Sequence, residues 1–333
     1  MDTPILVTSN LSLGYGSSAL LSGLDLRLDA GELVCLLGPN GSGKSTLLRT
    51  LAGLQPALAG QIEIGNQGIG KYSPADLARQ LALVLTERMD PGNLRVEELV
   101  ALGRIPYTGW FGTLSKADHE KIDWAMELAA VTPFRNRRVL QLSDGEKQKV
   151  MLARALAQDT RLIILDEPTA HLDLPNRFEM MRLLHTLARQ TGKAILLSSH
   201  ELDLALQTAD QLWIVAAEGT LTHGTPEDLV LDKTFEKAFS RPGFHFDRDT
   251  GTFGIQRNEL GPVVFIEGEA ESVFWTKRAL ERAGFSTVDR VGVDTALKLQ
   301  VTSTSWRLTS AHEHIVYDSV GALLGGLKTR SKR

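Results

Sequence analysis

The densest chemistry in the sequence lies in one run, Gly38-Pro39-Asn40-Gly41-Ser42-Gly43-Lys44-Ser45-Thr46. It satisfies G-x-x-x-x-G-K-[ST], in which the glycines let a loop turn successive backbone N–H groups toward phosphate oxygens. Lys44 adds a point charge for the terminal phosphates, and the Ser45 hydroxyl is a hard oxygen ligand suited to Mg²⁺. Asp166 and Glu167 form a second feature, two carboxylates directly after the apolar run Leu162-Ile163-Ile164-Leu165. Asp166 is suited to holding Mg²⁺ directly or through water, and Glu167 to orienting and deprotonating an attacking water. His200, in Leu197-Ser198-Ser199-His200-Glu201, is placed to meet a terminal phosphate or to position that water; a helix cap or a surface role is the alternative.

A third feature is Leu142-Ser143-Asp144-Gly145-Glu146, which opens a segment rich in Lys and Ala. Ser143 and Glu146 have capping-box spacing, so each side chain satisfies a backbone N–H of a helix's first turn. Gly145 is expected to leave that helix end uncovered, so that a phosphate can approach its N–H groups and dipole.

These groups need a scaffold that delivers them to one place. Leu33–Leu37, Leu81–Leu85, Leu162–Leu165, Ala194–Leu197 and Leu212–Ala216 are continuous apolar runs, as in strands covered on both faces. Ser45–Leu54, Glu146–Ala157 and Asn176–Gln190 read as helices between them. Strands alternating with helices give an α/β core with a largely parallel sheet, whose ligands gather at the carboxyl ends of the strands. Leu24, Leu26 and Leu28 alternate with other residues before the turn Asp29-Ala30-Gly31, which predicts a hairpin with Leu33–Leu37. Residues from about 90 to 138 break the rhythm with the helical segments Val96–Leu102 and His119–Ala130 around the loop Gly103–Gly112, a helical insertion in the core.

The order of phosphate loop, Leu-Ser-Asp-Gly-Glu, Asp166-Glu167 and His200 resembles the nucleotide-binding subunits of ABC transporters, over roughly residues 3–230. The resemblance implies a P-loop NTPase of ABC type: α/β, with a mixed sheet core, antiparallel N-terminal strands and a helical insertion at about 90–160. It implies an ATPase that uses ATP and Mg²⁺, with Gly38, Asn40, Gly41, Ser42, Gly43, Lys44, Ser45 and Thr46 around the phosphates. Tyr15 is similar to the aromatic that stacks on adenine, an ordinary strand-end aromatic being the other reading. Ser143, Asp144, Gly145 and Glu146 are similar to the signature that completes the site of a second copy in trans. Ala170-His171-Leu172-Asp173 resembles the dimer loop. Asp144 and Glu146 stand where the family usually has Gly and Gln, adding negative charge near a phosphate. Thr86 falls where the family usually has the Gln that ligates Mg²⁺; Thr86 is shorter, and Glu87 reaching in its place is the alternative.

Gly103-Arg104-Ile105-Pro106-Tyr107, with Leu156-Ala157-Gln158-Asp159-Thr160, resembles the branch that imports iron–siderophore complexes, haem or cobalamin. That branch implies a homodimer of ATPase subunits, integral membrane permease subunits and a substrate-binding protein, with the ATPase cytoplasmic and peripheral on the inner face of the plasma membrane. Trp110 and Phe111 would line the permease contact or serve as loop anchors. A soluble ABC ATPase acting on nucleic acid or ribosomes is the alternative, and a P-loop kinase for a small molecule is a third reading.

The chain's 333 residues bound this to one large domain or one large and one small. With 36 Lys+Arg against 40 Asp+Glu there is no overall basic field, so no nucleic-acid partner is expected. Charged residues at 23% and hydrophobics at 43% exclude wholesale disorder. A single cysteine, Cys35, fits a reducing compartment. No apolar run approaches the roughly 18–20 residues that span a bilayer, and MDTPILVTSN lacks the pattern of a secretory signal. After Gly224-Thr225-Pro226 the sequence reads as loop. The division expected is residues 1–240 for the ATPase domain, 241–260 for a linker, 261–327 for a small C-terminal α+β domain and 328–333 for a frayed basic tail. His312-Glu313-His314 would be a solvated strand edge, with a metal or regulatory ligand as the alternative.

Overall fold

The computed structural model describes residues 4–85, 92–109, 112–216, 218–240, 243–248, 250–255, 261–288, 297–310 and 313–330. Thr86, Glu87, Trp110, Phe111 and His312 lie outside the described residues. Two compact units are present, Met1–Arg241 with Phe246–Phe253, and Pro242–His245 with Gly254–Arg333.

The first unit opens with an antiparallel sheet. β1 (Leu6–Tyr15) pairs with β2 (Ser18–Leu24) and with β3 (Arg27–Leu28). β4 (Leu33–Leu37) then runs through the phosphate loop into α1 (Lys44–Leu51). β5 (Ala59–Ile64) returns to β1, β6 (Gln67–Gly68) pairs with β5, and α2 (Pro74–Leu77) leads to β7 (Leu81–Val84). The insertion follows as α3 (Val96–Ala101), α4 (Lys116–Leu128) and α5 (Asp144–Ala157). β8 (Leu162–Asp166), α6 (Leu174–Thr191), β9 (Ala194–Ser198), α7 (Leu202–Thr208), β10 (Gln211–Val215) and β11 (Leu221–Gly224) complete the core.

The core sheet has the order β11-β10-β4-β9-β8-β7, parallel except for β11. Its strands are apolar throughout because both faces are covered. Leu33, Cys35 and Leu37 join one hydrophobic cluster with the insertion helices, while Val34 and Leu36 join another with α1 and the antiparallel sheet. The same alternation holds for Ile163 and Leu165 against Leu162 and Ile164.

That double cover corrects the expected hairpin of residues 24–37. Leu28 pairs with Leu6 of β1, whereas β4 lies between β9 and β10 in the other sheet. All five residues of β4 are buried, and a two-stranded hairpin with a solvated face could not bury them.

The stretch after Gly224 is not loop. Thr225 caps α8 (Pro226–Leu231) by accepting the Asp228 N–H, and α9 (Thr234–Phe239) follows. The described part of the expected linker forms a hairpin, β12 (Phe244–Asp247) with β13 (Thr252–Ile255). Phe246 and Phe253 lie 5.0 Å apart and pack on Phe235, which is fully buried. Of the residues that suggested a linker, Gly243 precedes β12 and Thr250 and Gly251 lie in turn just before β13.

The second unit contains β14 (Val263–Gly268), α10 (Ala270–Arg282), β15 (Ser286–Val288), β16 (Leu297–Val301), β17 (Trp306–Ser310), β18 (His314–Tyr317) and α11 (Val320–Arg330). The sheet order is β15-β14-β16-β17-β18, with β17 antiparallel to both its neighbours. Val264, Ile266, Leu299, Val301 and Leu308 point to one face, where Leu280, Leu323 and Leu327 of the two helices cover them. Lys328 to Arg330 continue α11 and so are helix, not frayed tail. His314 accepts or donates a 3.1 Å hydrogen bond with Thr309 on the neighbouring strand. Among the described residues no group of three His, Cys, Asp or Glu could hold a metal, and no helix is long and apolar enough to cross a membrane.

Within the insertion one buried cation fixes the geometry. Arg104 is 6% exposed; its Nε donates to Asp118 Oδ1 at 2.8 Å and its Nη1 to the Ala157 carbonyl at 2.8 Å. Its guanidinium also stacks 4.0 Å from the Tyr107 ring centroid. Asp118 is itself the capping-box partner of Ser115, and the Ser115 hydrogen bonds, helped by Arg104, hold its carboxyl down at about 2. Arg104 thereby ties the 103–107 segment to α4 and to the last turn of α5. Truncation to Arg104→Ala strands a buried carboxylate and a carbonyl, so urea unfolding should show a loss of about 3–5 kcal/mol; a change under 1 kcal/mol would remove Arg104 from this role.

Candidate functional site

The phosphate loop leaves β4 through Gly38, where a side chain would come within 2.6 Å of the Val215 carbonyl. Gly41 and Gly43 have φ of 79° and 98°, left-handed values that glycine adopts without cost. Gly43 is the N-cap of α1, so the first N–H groups of that helix open onto the loop. Lys44 is 6% exposed and donates to the Gly38 carbonyl at 2.8 Å and the Pro39 carbonyl at 3.1 Å. An ammonium has three donors, so capacity for a further acceptor remains. Burial lowers the Lys44 pKa from its ordinary value, against the pull of Glu167 and Asp166. Ser42 Oγ is buried without a hydrogen-bond partner among the described residues, the kind of orphan that a phosphate oxygen satisfies. Tyr15, at the end of β1, is 59% exposed, and its hydroxyl lies 3.1 Å from Thr46 Oγ1. A flat, exposed ring beside the loop suits a base.

Next to this cradle β8 and β9 end in register, with Asp166 opposite Ser198. Ser198 Oγ donates to Asp166 Oδ1 at 2.6 Å and accepts the Glu167 N–H at 2.9 Å. Ser45 Oγ lies 3.4 Å from the same Asp166 oxygen, so the two described members of the expected metal set meet. Hard oxygens at that spacing fit Mg²⁺, which keeps several waters and takes few protein ligands. Glu167 has a φ of 51°, unusual for a residue with a side chain, and leaves the strand direction just past its buried end. Its Oε1 is 2.7 Å from His200 Nε2. The cradle, Asp166, Glu167 and His200 therefore converge at the carboxyl edge of the core sheet.

Ser143, Asp144, Gly145 and Glu146 are not part of that convergence. They form the first turn of α5, closed by the capping box: Glu146 Oε2 accepts the Ser143 N–H at 2.7 Å, and Ser143 Oγ accepts the Glu146 N–H at 3.3 Å. Those hydrogen bonds hold the Glu146 pKa below its ordinary value. Asp144 is exposed and pairs with Lys147 at 3.4 Å, which partly offsets its charge. Gly145 is buried, contrary to the expected open end: the side chain of Asn176 covers it, 3.3 Å from where a Cβ would stand. A Cβ there would press on the Asn176 side chain by a few tenths of an ångström. Asp173 is the N-cap of α6 and also accepts from Asn176 Nδ2 at 2.5 Å.

Sequence reading passed over three residues of this region. Ser198 was visible only as a small polar residue closing an apolar run. Asn176 and Arg177 fall in the first turn of a helix, where polar residues are ordinary and nothing marks them out.

A strand–loop–helix cradle with a carboxylate pair on a neighbouring parallel strand defines a P-loop nucleotide-binding domain. Residues 21–170 match the ABC transporter family, and residues 261–328 match the iron ABC transporter C-terminal domain. An iron(3+)-hydroxamate import ATP-binding protein of Bacillus subtilis is 33% identical over 234 residues, 70% of this chain and 87% of that protein. An uncharacterized ABC transporter ATP-binding protein of the same species is 32% identical over 314 residues, covering 92% of this chain and 69% of its own length. Among solved structures, cbiO1 of Clostridium perfringens, part of the ABC transporter complex cbiONQ, superposes with a TM-score of 0.62 at 26% identity, over 71% of this chain and 94% of that one. The chain belongs to the ABC transporter family and carries its ATP-binding domain; ATP-binding proteins of this family are ATPases coupled to transport.

Ser198 offers a test of the edge geometry. Ser198→Ala removes the 2.6 Å hydrogen bond to Asp166 and strands the Glu167 N–H, at about 1–3 kcal/mol in urea unfolding. ATP turnover should fall while ATP affinity, set by the cradle, stays within about twofold; equal loss of affinity and turnover would contradict the assignment.

Proposed function

We propose that this chain is the ATP-hydrolysing subunit of an importer of chelated ferric iron. The observation that carries the cargo class is the pairing of the ATP-binding domain with an iron ABC transporter C-terminal domain at residues 261–328. An iron(3+)-hydroxamate importer subunit among the relatives supports the same class. No comparison supports an ATPase acting on nucleic acid.

In this reading ATP lies in the cradle, with its phosphates against the loop N–H groups, Lys44 and Ser42, and its base on Tyr15. Ser45 and Asp166 would hold Mg²⁺, with Thr86 or Glu87, outside the described residues, as the expected further donor; the ion would neutralise phosphate charge. Glu167 orients the attacking water and takes its proton, and His200, 2.7 Å from that carboxylate, keeps it aimed at the terminal phosphate. Catalysis is then mainly positioning and charge stabilisation. Two copies meet head to tail, so that Ser143–Glu146 of one closes over the nucleotide of the other, with the Asp173 loop at the seam.

The membrane partner would engage a groove of about 900 Å³ between the antiparallel sheet and α2. Leu54, Ile62, Ile69, Leu77 and Leu83 give it an apolar floor, and Leu54 is 63% exposed. A short helix from a permease subunit suits such a groove. The ATPase would then sit peripherally on the cytoplasmic face, with a substrate-binding protein serving the complete importer.

Glu167→Gln tests the chemistry. ATP binding should persist, phosphate release should fall by about 10²-fold or more, and a nucleotide-bound dimer should accumulate in light scattering. Turnover at the wild-type rate would remove Glu167 from its role.

A further inference from the structure

Two adjacent side chains on the first turn of α6 reach in different directions. Asn176 covers Gly145, at the first turn of α5, and donates to Asp173 in the loop before α6. Arg177 Nε donates to the Leu172 carbonyl of that loop at 2.7 Å, and its Nη1 donates to Glu201 Oε1 at 2.7 Å. Glu201 adjoins His200, and its own N–H is held by Ser199 Oγ at 2.9 Å. His200 in turn touches Glu167.

From this arrangement we infer that Arg177 is a positioning residue that couples the two nucleotide sites of the dimer through one chain. The inference rests on the head-to-tail reading above. In that dimer the first turn of α5 serves the partner's nucleotide, whereas Glu167 and His200 serve the chain's own. The first turn of α6 bears on both: Asn176 covers Gly145, and Arg177 reaches Leu172 and Glu201, the neighbour of His200. The Asn176 side chain lies against Gly145, so a shift of the α5 end on closure bears on the first turn of α6. The planar guanidinium carries that displacement to Leu172 and Glu201 together, because its fork fixes the geometry of both hydrogen bonds. His200 is thus brought into line with Glu167 when the other site is filled. Lysine has the charge but not the fork.

The test is ATP turnover of the full chain against ATP concentration, with dimer formation measured in parallel by light scattering. Wild type should give a Hill coefficient clearly above 1, bounded by the two sites. Arg177→Ala should bring it to about 1 and lower kcat about tenfold or more, with KM within about twofold. Arg177→Lys, which retains the ion pair and should keep the fold, is expected to lose cooperativity in the same way. Arg177→Ala combined with Glu201→Ala should be no worse than either alone. Wild-type cooperativity in Arg177→Lys, additive losses in the double variant, or a dimer that turns over without cooperativity in wild type would each overturn the inference. Failure of ATP to form a dimer at all would instead bring down the head-to-tail reading, and this inference with it.

Discussion

A triphosphate brings several negative charges to a single edge of a sheet that is apolar on both faces. The protein meets that charge with backbone N–H groups, a helix end and one buried ammonium, none of which can be placed without the strand behind them. Lys44 can sit at 6% exposure only because Gly38, Gly41 and Gly43 let the loop wrap its head with carbonyls. The cost of burying it, visible in its lowered pKa, is offset by Asp166 and Glu167 on the adjacent strand ends. The parallel sheet, its double cover and the register of β8 with β9 all serve to bring those groups to the same edge.

The same economy explains what could be read from residues alone. Glycine spacing and all-apolar strands are direct consequences of the cradle and the covered sheet, so both were legible. The wrong hairpin came from Leu24, Leu26 and Leu28, whose alternation is real but whose partner is β1. That strand is interrupted by register shifts near Leu11 and Leu13, which blur its own pattern. The missed hairpin at 244–255 hid behind turn residues, although Phe244, Phe246 and Phe253 are aromatic. Ser198, Asn176 and Arg177 were illegible for a different reason. Their roles depend on residues far along the chain, and a polar side chain at a strand or helix end carries no periodic signal.

The second unit builds its own core from one sheet face and two helices, and its match to the iron transporter C-terminal domain ties the cargo class to a region outside the nucleotide site. In the first unit the insertion is anchored from within by Arg104, whose bond to the Ala157 carbonyl reaches the last turn of α5. That helix therefore has its far end fixed to the 103–107 segment and its near end in the capped turn at Ser143–Glu146, while Asn176 of α6 lies against the near end.

Crystals grown with a non-cleavable ATP analogue and Mg²⁺ address the central claim most directly. The expected density is a nucleotide whose phosphates lie against Lys44 and the loop amides of one copy and against Ser143–Gly145 of a second. A cradle without nucleotide, or one filled by a single copy with no second chain within reach, would contradict the account.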